Sequence, residues 1–470
     1  MASTAGTPCG WGPFIITMAM IIIKGKFLKG RKFNMKQKQV FNNAKWIIGC
    51  KIVQSLMQLA IGMISARYLG PSNYGLINYA ASVVAFALPL MKLGFDAILV
   101  HELVESPKDE GEIMGTALAF NVGSGLLCMA GVSAFAILDN FGQTETILVC
   151  ILYSVSIFFA ALEMVQYWFQ YKLLSKYSSL VMLGAYLFVS AYKIFLLATG
   201  KSVYWFAISH SVEYSVIAFS LLMFYGKKGG QVFRFSLVRA KKMLAKSKHY
   251  ILAALMIMII QNTDHIMVTN MIGTSENGLY SAAITCVSMF QFVYVAIVDS
   301  FRPYILTQKK ESHNDYGKTI SQVYGLTGYM ALAQTVVFVL FAPFIIQVLY
   351  GPDFAGAVPV MQILAGYFFF SLLGLVRNVW ILAEEKQRYL WIINLSGALA
   401  NIVLNAVLIS LWGACGAALA SLITQCFANF ILGFIMKPIR QNNRLLLKGM
   451  NPRFFIKEMK SIVRLLLKKG

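Results

Sequence analysis

"ARYLGPSNYGLINYAAS" occupies residues Ala66–Ser82. An apolar run closes on an arginine, the chain turns through Gly70 and Pro71, and a second apolar run opens after Gly75. A similar corner, "VTNMIGTSENGLYSAAI", occupies Val268–Ile284. Aligning Gly70 with Gly273 brings Ser72 onto Ser275, Gly75 onto Gly278, Leu76 onto Leu279 and Ala80 onto Ala283, at a constant offset of 203. Glycine serves such a corner because it turns sharply and lets backbones approach closely. A second pair repeats further on: Trp168 and Tyr177 have the spacing of Trp380 and Tyr389. Two matched corners predict two copies of one lobe.

The rest of the chain says what the lobes are made of. The 470 residues are 58% hydrophobic and 13% charged, with mean hydropathy +0.67. That is about half the charge of an average soluble domain. A bilayer core about 30 Å thick needs roughly 20 apolar residues per helix. Twelve segments meet that need, at about 45–66, 74–95, 113–138, 145–165, 178–199, 203–225, 249–270, 278–301, 322–349, 358–382, 389–410 and 413–436. The expected fold is an all-α polytopic membrane protein of about 12 transmembrane helices. They form two parallel six-helix lobes around a central cavity, since an even number of crossings per repeat keeps the copies parallel.

The net charge of +22 raises the question of nucleic acid, and its distribution answers it. The basic residues sit between the apolar runs. The stretch 226–248 carries eight Lys/Arg and no acid. Lys172, Lys176, Arg302, Lys309, Lys310, Lys318, Lys386, Arg388 and the tail fall on the same side when the N-terminus is placed inside. This sorting follows the positive-inside rule. It points to contacts with an anionic inner leaflet, not to nucleic acid. The acidic stretch 96–112, "DAILVHELVESPKDEGE", is the one loop that does not conform. The seven cysteines are scattered through apolar runs, with no CxxC and no Cys/His cluster, so no metal or cofactor is expected.

The expected division is an N-terminal extension over 1–34, an N-lobe over 35–225, a basic cytoplasmic linker over 226–248, a C-lobe over 249–436 and a basic cytoplasmic tail over 437–470. The extension is set apart because "WGPFIITMAMIII" is short and is followed by basic residues, while Met35 offers a start of its own.

Polar stripes on apolar helices mark faces turned away from lipid. The first segment carries Lys51, Gln54, Ser55, Gln58, Gly62 and Ser65 at steps of three and four. The seventh carries Gln261, Asn262, Asp264 and His265. The eighth carries Ser281, Thr285, Ser288 and Gln291, with Asp299 and Arg302 near its inner end, and the eleventh carries Asn394, Asn401 and Asn405. Among the intramembrane charges, Lys193 and Glu213 stand well inside their segments, with His210 on one face with Glu213. Lys92, Glu163 and Arg377 lie near helix ends, where snorkelling or an internal pair is the favoured reading. For Asp264 with His265, a proton or cation site and a buried hydrogen-bonded pair are equally open. A cavity with several cations suits a phosphorylated anion, and amides and hydroxyls suit sugars. The short outer segments leave little room for the catalytic loop of a membrane polymerase or ligase.

The corner "RYLGPSNYG", the run "TDHIMVTNMIGTSENGLYSAA" and the stretch "LYGPDFAGAVPVMQILA" resemble the polysaccharide-transporter branch of the multidrug/oligosaccharidyl-lipid/polysaccharide exporter superfamily. Within it the chain is most similar to the Wzx-type flippases over residues 36–440. That resemblance implies translocation of undecaprenyl-diphosphate-linked oligosaccharide units across a bacterial inner membrane by alternating access. It implies two cytoplasmic termini, service to O-antigen, capsule or exopolysaccharide assembly, and a glycan-assembly polymerase as a further partner. Arg67 matches the family's arginine after the first helix, and Asp264 matches a frequent acid in the seventh. The expected substrate-binding set is Lys51, Gln54, Gln58, Arg67, Lys193, Gln261, Gln291, Arg302, Arg377 and Asn401. The expected ion-coupling set is Asp264, His265 and Glu213. A MATE-type drug/cation antiporter is the alternative on the same architecture, and a membrane glycan polymerase or ligase the alternative from another class.

Overall fold

The computed structural model describes residues 35–311 and 315–458. The expectation for residues 1–34, and that for the tail beyond Glu458, fall outside them. Fifteen α-helices follow in order: α1 Met35–Lys92, α2 Phe95–Glu105, α3 Glu110–Asp139, α4 Thr144–Leu162, α5 Gln166–Tyr171, α6 Ser175–Ala198, α7 Val203–Lys227, α8 Leu237–Met271, α9 Thr274–Ser288, α10 Gln291–Glu311, α11 Asp315–Leu349, α12 Ala357–Ala383, α13 Arg388–Cys426, α14 Leu432–Ile435 and α15 Arg440–Gly449. A π-helical turn, Phe427–Ile431, joins α13 to α14.

The protein is an all-α multi-pass membrane protein. Nine helical stretches among the described residues are long and apolar enough to cross a bilayer, and α9 with α10, bent by 40°, makes a tenth. Two of these stretches are double. Ile52–Glu105 is 54 residues long, about 80 Å if straight, far beyond a 30 Å core. It breaks at Gly70, whose φ of 71° and ψ of 173° no helix contains. Arg388–Ile435 breaks in the same way at Trp412 and Gly413. Counting each as two crossings gives the twelve that the sequence predicts.

The structure differs from the sequence reading at three places. The stretch 96–112 is not a loop: it forms α2 and a short 3₁₀ turn at Pro107–Asp109. The second half of the 226–248 linker is already the start of α8, capped by Ser236, whose side chain accepts from the Arg239 amide. The segment 278–301 is broken at Met289 and Phe290.

Two compact units divide the described residues, one covering 35–278 and the other 279–458. The first includes α8, so the seventh crossing packs with the first six. Its core has two parts. One gathers Tyr79, Met91, Ile157 and Phe206; the other gathers Phe95, Leu99, Trp168, Phe169 and Met243. The core of the second unit gathers Tyr324, Ile320, Trp380, Ile393 and Leu446.

The duplicated Trp…Tyr element folds identically in both units. α5 and α12, which carry the fully buried Trp168 and Trp380, lead to the left-handed residues Leu173 (φ 57°) and Glu385 (φ 56°). The Leu174 amide then donates to Phe169 O at 2.7 Å, and the Lys386 amide to Ile381 O at 2.9 Å. This is a helix C-terminal motif in which a left-handed residue recovers carbonyls that the helix end would leave unpaired.

Candidate functional site

The two copies of the corner meet inside the first unit. A Cβ on Gly75 would stand 1.8 Å from the Thr274 carbonyl oxygen, and a Cβ on Gly278 would stand 1.9 Å from the Pro71 carbonyl oxygen. The offset of 203 maps one contact onto the other, so the pair is reciprocal. The Ser72 and Thr274 hydroxyls lie 3.0 Å apart. Asn277, fully buried, donates Nδ2 to Gly75 O at 2.8 Å and presents Oδ1 to His265 Nδ1, also at 2.8 Å. Asp139, at the end of α3, accepts from Tyr79 Oη at 2.9 Å and from Asn270 Nδ2 at 2.7 Å. The start of α1's second half and the ends of α3 and α8 are thus tied by hydrogen bonds at one end of the unit.

The opposite end is tied by charge. Five of the six acids of 96–112 take a cation. Glu102 and Glu105 face Lys246, and Asp109 and Glu112 hold Arg239 at 2.6 and 3.0 Å. Glu110, 1% exposed, accepts from Lys172 Nζ and from Trp168 Nε1, both at 2.6 Å. The linker runs against Gly111 and Gly115, where a Cβ would strike the Val232 and Arg234 carbonyls at 2.3 and 2.4 Å. The Arg234 amide donates to Gly111 O at 3.0 Å. The acidic stretch that broke the positive-inside pattern is therefore the counter-charge of the basic linker.

Between these ends, α6 and α7 bring three ionisable side chains together. Lys193 lies within electrostatic range of Glu213 and of His210. The His210 ring stacks on Tyr153 at 4.4 Å between centroids and meets Tyr214 edge-on at 5.0 Å. Glu213 also faces Tyr153 and Tyr186. A cation, an acid and an imidazole in one membrane-spanning bundle is the arrangement by which protons or anions are handled in low dielectric.

The remaining expected residues divide between the units. In the first, Gln54 is half-buried, while Gln58, Arg67 and Gln261 are exposed. Lys51 lies on α1, and its side chain is outside the described residues. Asp264 is 4% exposed and lies beside His265. In the second, Gln291 is exposed and Arg302 pairs with Asp299 at 2.5 Å. Arg377 is buried and donates Nη1 to Ala428 O at 2.8 Å, in the π-helical turn. Asn401 and Asn405 are joined at 3.1 Å within α13. So Lys193 with Glu213, and Asp264 with His265, are brought together within one unit, and Arg377 serves the core of the other. Sequence reasoning missed Asp139, Asn140 and Asn277. An acid beside an amide at the end of a long apolar run, and an asparagine inside the repeated corner, were the signals present.

These features define a multi-pass helical membrane protein with a transporter fold. A family model for polysaccharide biosynthesis proteins matches residues 64–359, and the chain belongs to that family. No curated protein sequence matches it. Among solved structures it is similar to an inward-facing multidrug resistance MATE family transporter of the MOP superfamily, with TM-score 0.66 and 14% identity, covering 84% of this chain and 96% of that one. It is equally similar to the lipid II flippase MurJ in its inward closed conformation, with TM-score 0.66 and 16% identity, covering 86% and 90%. The eukaryotic MATE transporter AtDTX14 aligns at TM-score 0.52 and 13% identity, covering 88% of this chain and all of that one. At these identities the likeness establishes the fold.

Proposed function

We propose that the protein is a flippase. It carries undecaprenyl-diphosphate-linked oligosaccharide units from the inner to the outer leaflet of a bacterial inner membrane, by alternating access, for O-antigen, capsule or exopolysaccharide assembly. The observation that carries this reading is membership of a polysaccharide biosynthesis family on a transporter fold. The head of such a substrate is anionic at the diphosphate and rich in hydroxyls beyond it. Lys193 supplies an intramembrane cation for the first, and Glu213, with Asp264 and His265, is the proposed ion-coupling set. Lys51, Arg67 and Arg302 are proposed as further cations, whereas Arg377 is held in the core by Ala428 O. Gln54, Gln58, Gln261, Gln291 and Asn401 supply amides for sugars. Both termini are cytoplasmic, and a glycan polymerase takes up the product on the outer side. Deleting the gene in its own host tests the reading. Lost surface polymer, with lipid-linked units retained on the cytoplasmic face, is the expected result.

A MATE-type cation antiporter is the second reading, supported by buried Asp264 beside His265 and by the MATE likeness in fold. Drug hypersensitivity of the deletion strain with unchanged surface glycan would favour it.

A further inference from the structure

A cavity of about 580 Å³ opens at the end of the first unit where Gly75 and Gly278 meet. Its volume lies within the roughly 300–1,000 Å³ of small-molecule sites. All of its lining residues belong to that unit, and all but Leu76 and Gly273 have polar side chains. In a chain of net charge +22, the lining holds two carboxylates, Asp139 and Glu145, and no Lys or Arg.

Beside the two carboxylates the lining offers amides and hydroxyls, which both donate and accept. Asn140 is 4% exposed and gives both amide hydrogens away, to Tyr79 Oη at 3.1 Å and to Ala136 O at 3.2 Å. Its Oδ1 accepts from no described residue. That oxygen is open to the cavity, where a water or a ligand can donate to it. Glu145 is exposed at the rim and has no hydrogen-bond or ion-pair partner among the described residues. Gln143 Oε1 accepts only from Thr146 Oγ1, at 3.2 Å. Two carboxylates and no cation in the lining favour a ligand that is not anionic, and the Asn140 and Gln143 oxygens can take donors it brings. A sugar with hydroxyl or amino donors fits; a diphosphate or an acyl chain does not.

The cavity lies at the far end of α3 and α8 from the linker and its acids. α8 is 35 residues long, about 50 Å, so the two ends stand on opposite sides of a bilayer. With the basic linker inside, the cavity is outside.

We infer that this cavity is an outer-face sugar subsite, selective for neutral or aminated sugars over acidic ones. Taking its natural ligand to be the glycan end of a transported unit rests on the flippase reading. The subsite then receives the leading sugars while its carboxylates turn the diphosphate away.

The test uses the full-length protein in nanodiscs and saturation-transfer NMR with glucosamine, N-acetylglucosamine and glucuronate as separate probes. Saturation transfer to the first two is expected to exceed that to glucuronate by about threefold, the order one exposed charge supplies. Glu145→Lys, at an exposed rim position, is expected to cut the glucosamine signal and raise that of glucuronate. Asn140→Asp, which keeps the shape of the buried amide, is the second variant and is expected to shift the preference further toward glucosamine. No transfer from any sugar, equal transfer from all of them, or signals indifferent to both variants would overturn the assignment. The deletion experiment on glycan sidedness reports on the flippase reading separately. Sugar binding with unchanged sidedness keeps the subsite and removes the flippase.

Discussion

Gly75 and Gly278 occupy equivalent positions in the two repeats, and each lies where a Cβ would collide with the other repeat's backbone, at Thr274 O and Pro71 O. The relationship is reciprocal, as a pseudo-two-fold axis through the contact requires. The corner is repeated in sequence because its copies pack on one another in the fold.

Gly75→Ala and Gly278→Ala should therefore act alike. Each forces two backbones apart and costs about 1–3 kcal/mol, as overpacking of a tight contact does. The measurement is thermal unfolding of the purified protein in detergent. A loss in one variant without the other would argue against the symmetric contact.

Asn277→Ala removes the donor to Gly75 O and the partner of His265 at once. Leaving such buried groups unpaired costs about 1–3 kcal/mol. Combined with Gly75→Ala, the loss should fall well short of the sum, since both act on one contact. Thermal unfolding of the double variant gives the coupling.

Glu110→Gln keeps the shape of a buried side chain but removes the charge that holds Lys172 and Trp168. Lys172 is partly exposed and returns to water, so the loss should be smaller than for a fully buried pair, about 1–3 kcal/mol. The linker against Gly111 should loosen with it, and protease cleavage between Gly229 and Phe235 in inside-out vesicles should quicken.

Burial opposes the charge of Glu384, but Lys309 and Tyr316 overcome it and hold this carboxyl below the usual 4.5. A depressed carboxylate contributes stability that is complete above its unfolded pKa and is lost as pH falls through the folded one. Unfolding temperature should therefore drop more steeply below about pH 4.5 in the wild type than in Glu384→Gln. Equal slopes would sever Glu384 from the acid response.

The sequence disclosed the class of fold almost entirely, because apolar runs of bilayer length have few other uses and the glycine corners fixed the repeat. It disclosed less about charge. The acids of 96–112 read as an exception to the positive-inside rule. Only the fold shows Glu102, Asp109 and Glu112 paired with Lys246 and Arg239 more than a hundred residues away. Helical periodicity placed His210 and Glu213 on one face and left Lys193 apart from them, and packing of α6 on α7 brought Lys193 within electrostatic range of both. Arg377, for which an internal pair or snorkelling is the favoured sequence reading, fastens the π-helical turn through Ala428 O. Asn140 and Asn277 were hidden because they lie at helix ends, outside the polar stripes that periodicity finds; what matters there is which of their atoms has a partner.

The most direct measurement is the sidedness of a labelled undecaprenyl-diphosphate oligosaccharide in proteoliposomes of the purified protein, with Lys193→Ala beside the wild type. The account predicts that the wild type equilibrates the lipid between leaflets, and that Lys193→Ala, equally well inserted, does so several-fold more slowly. A wild-type protein that leaves the lipid in its original leaflet, under proton and sodium gradients of either sign, would contradict it.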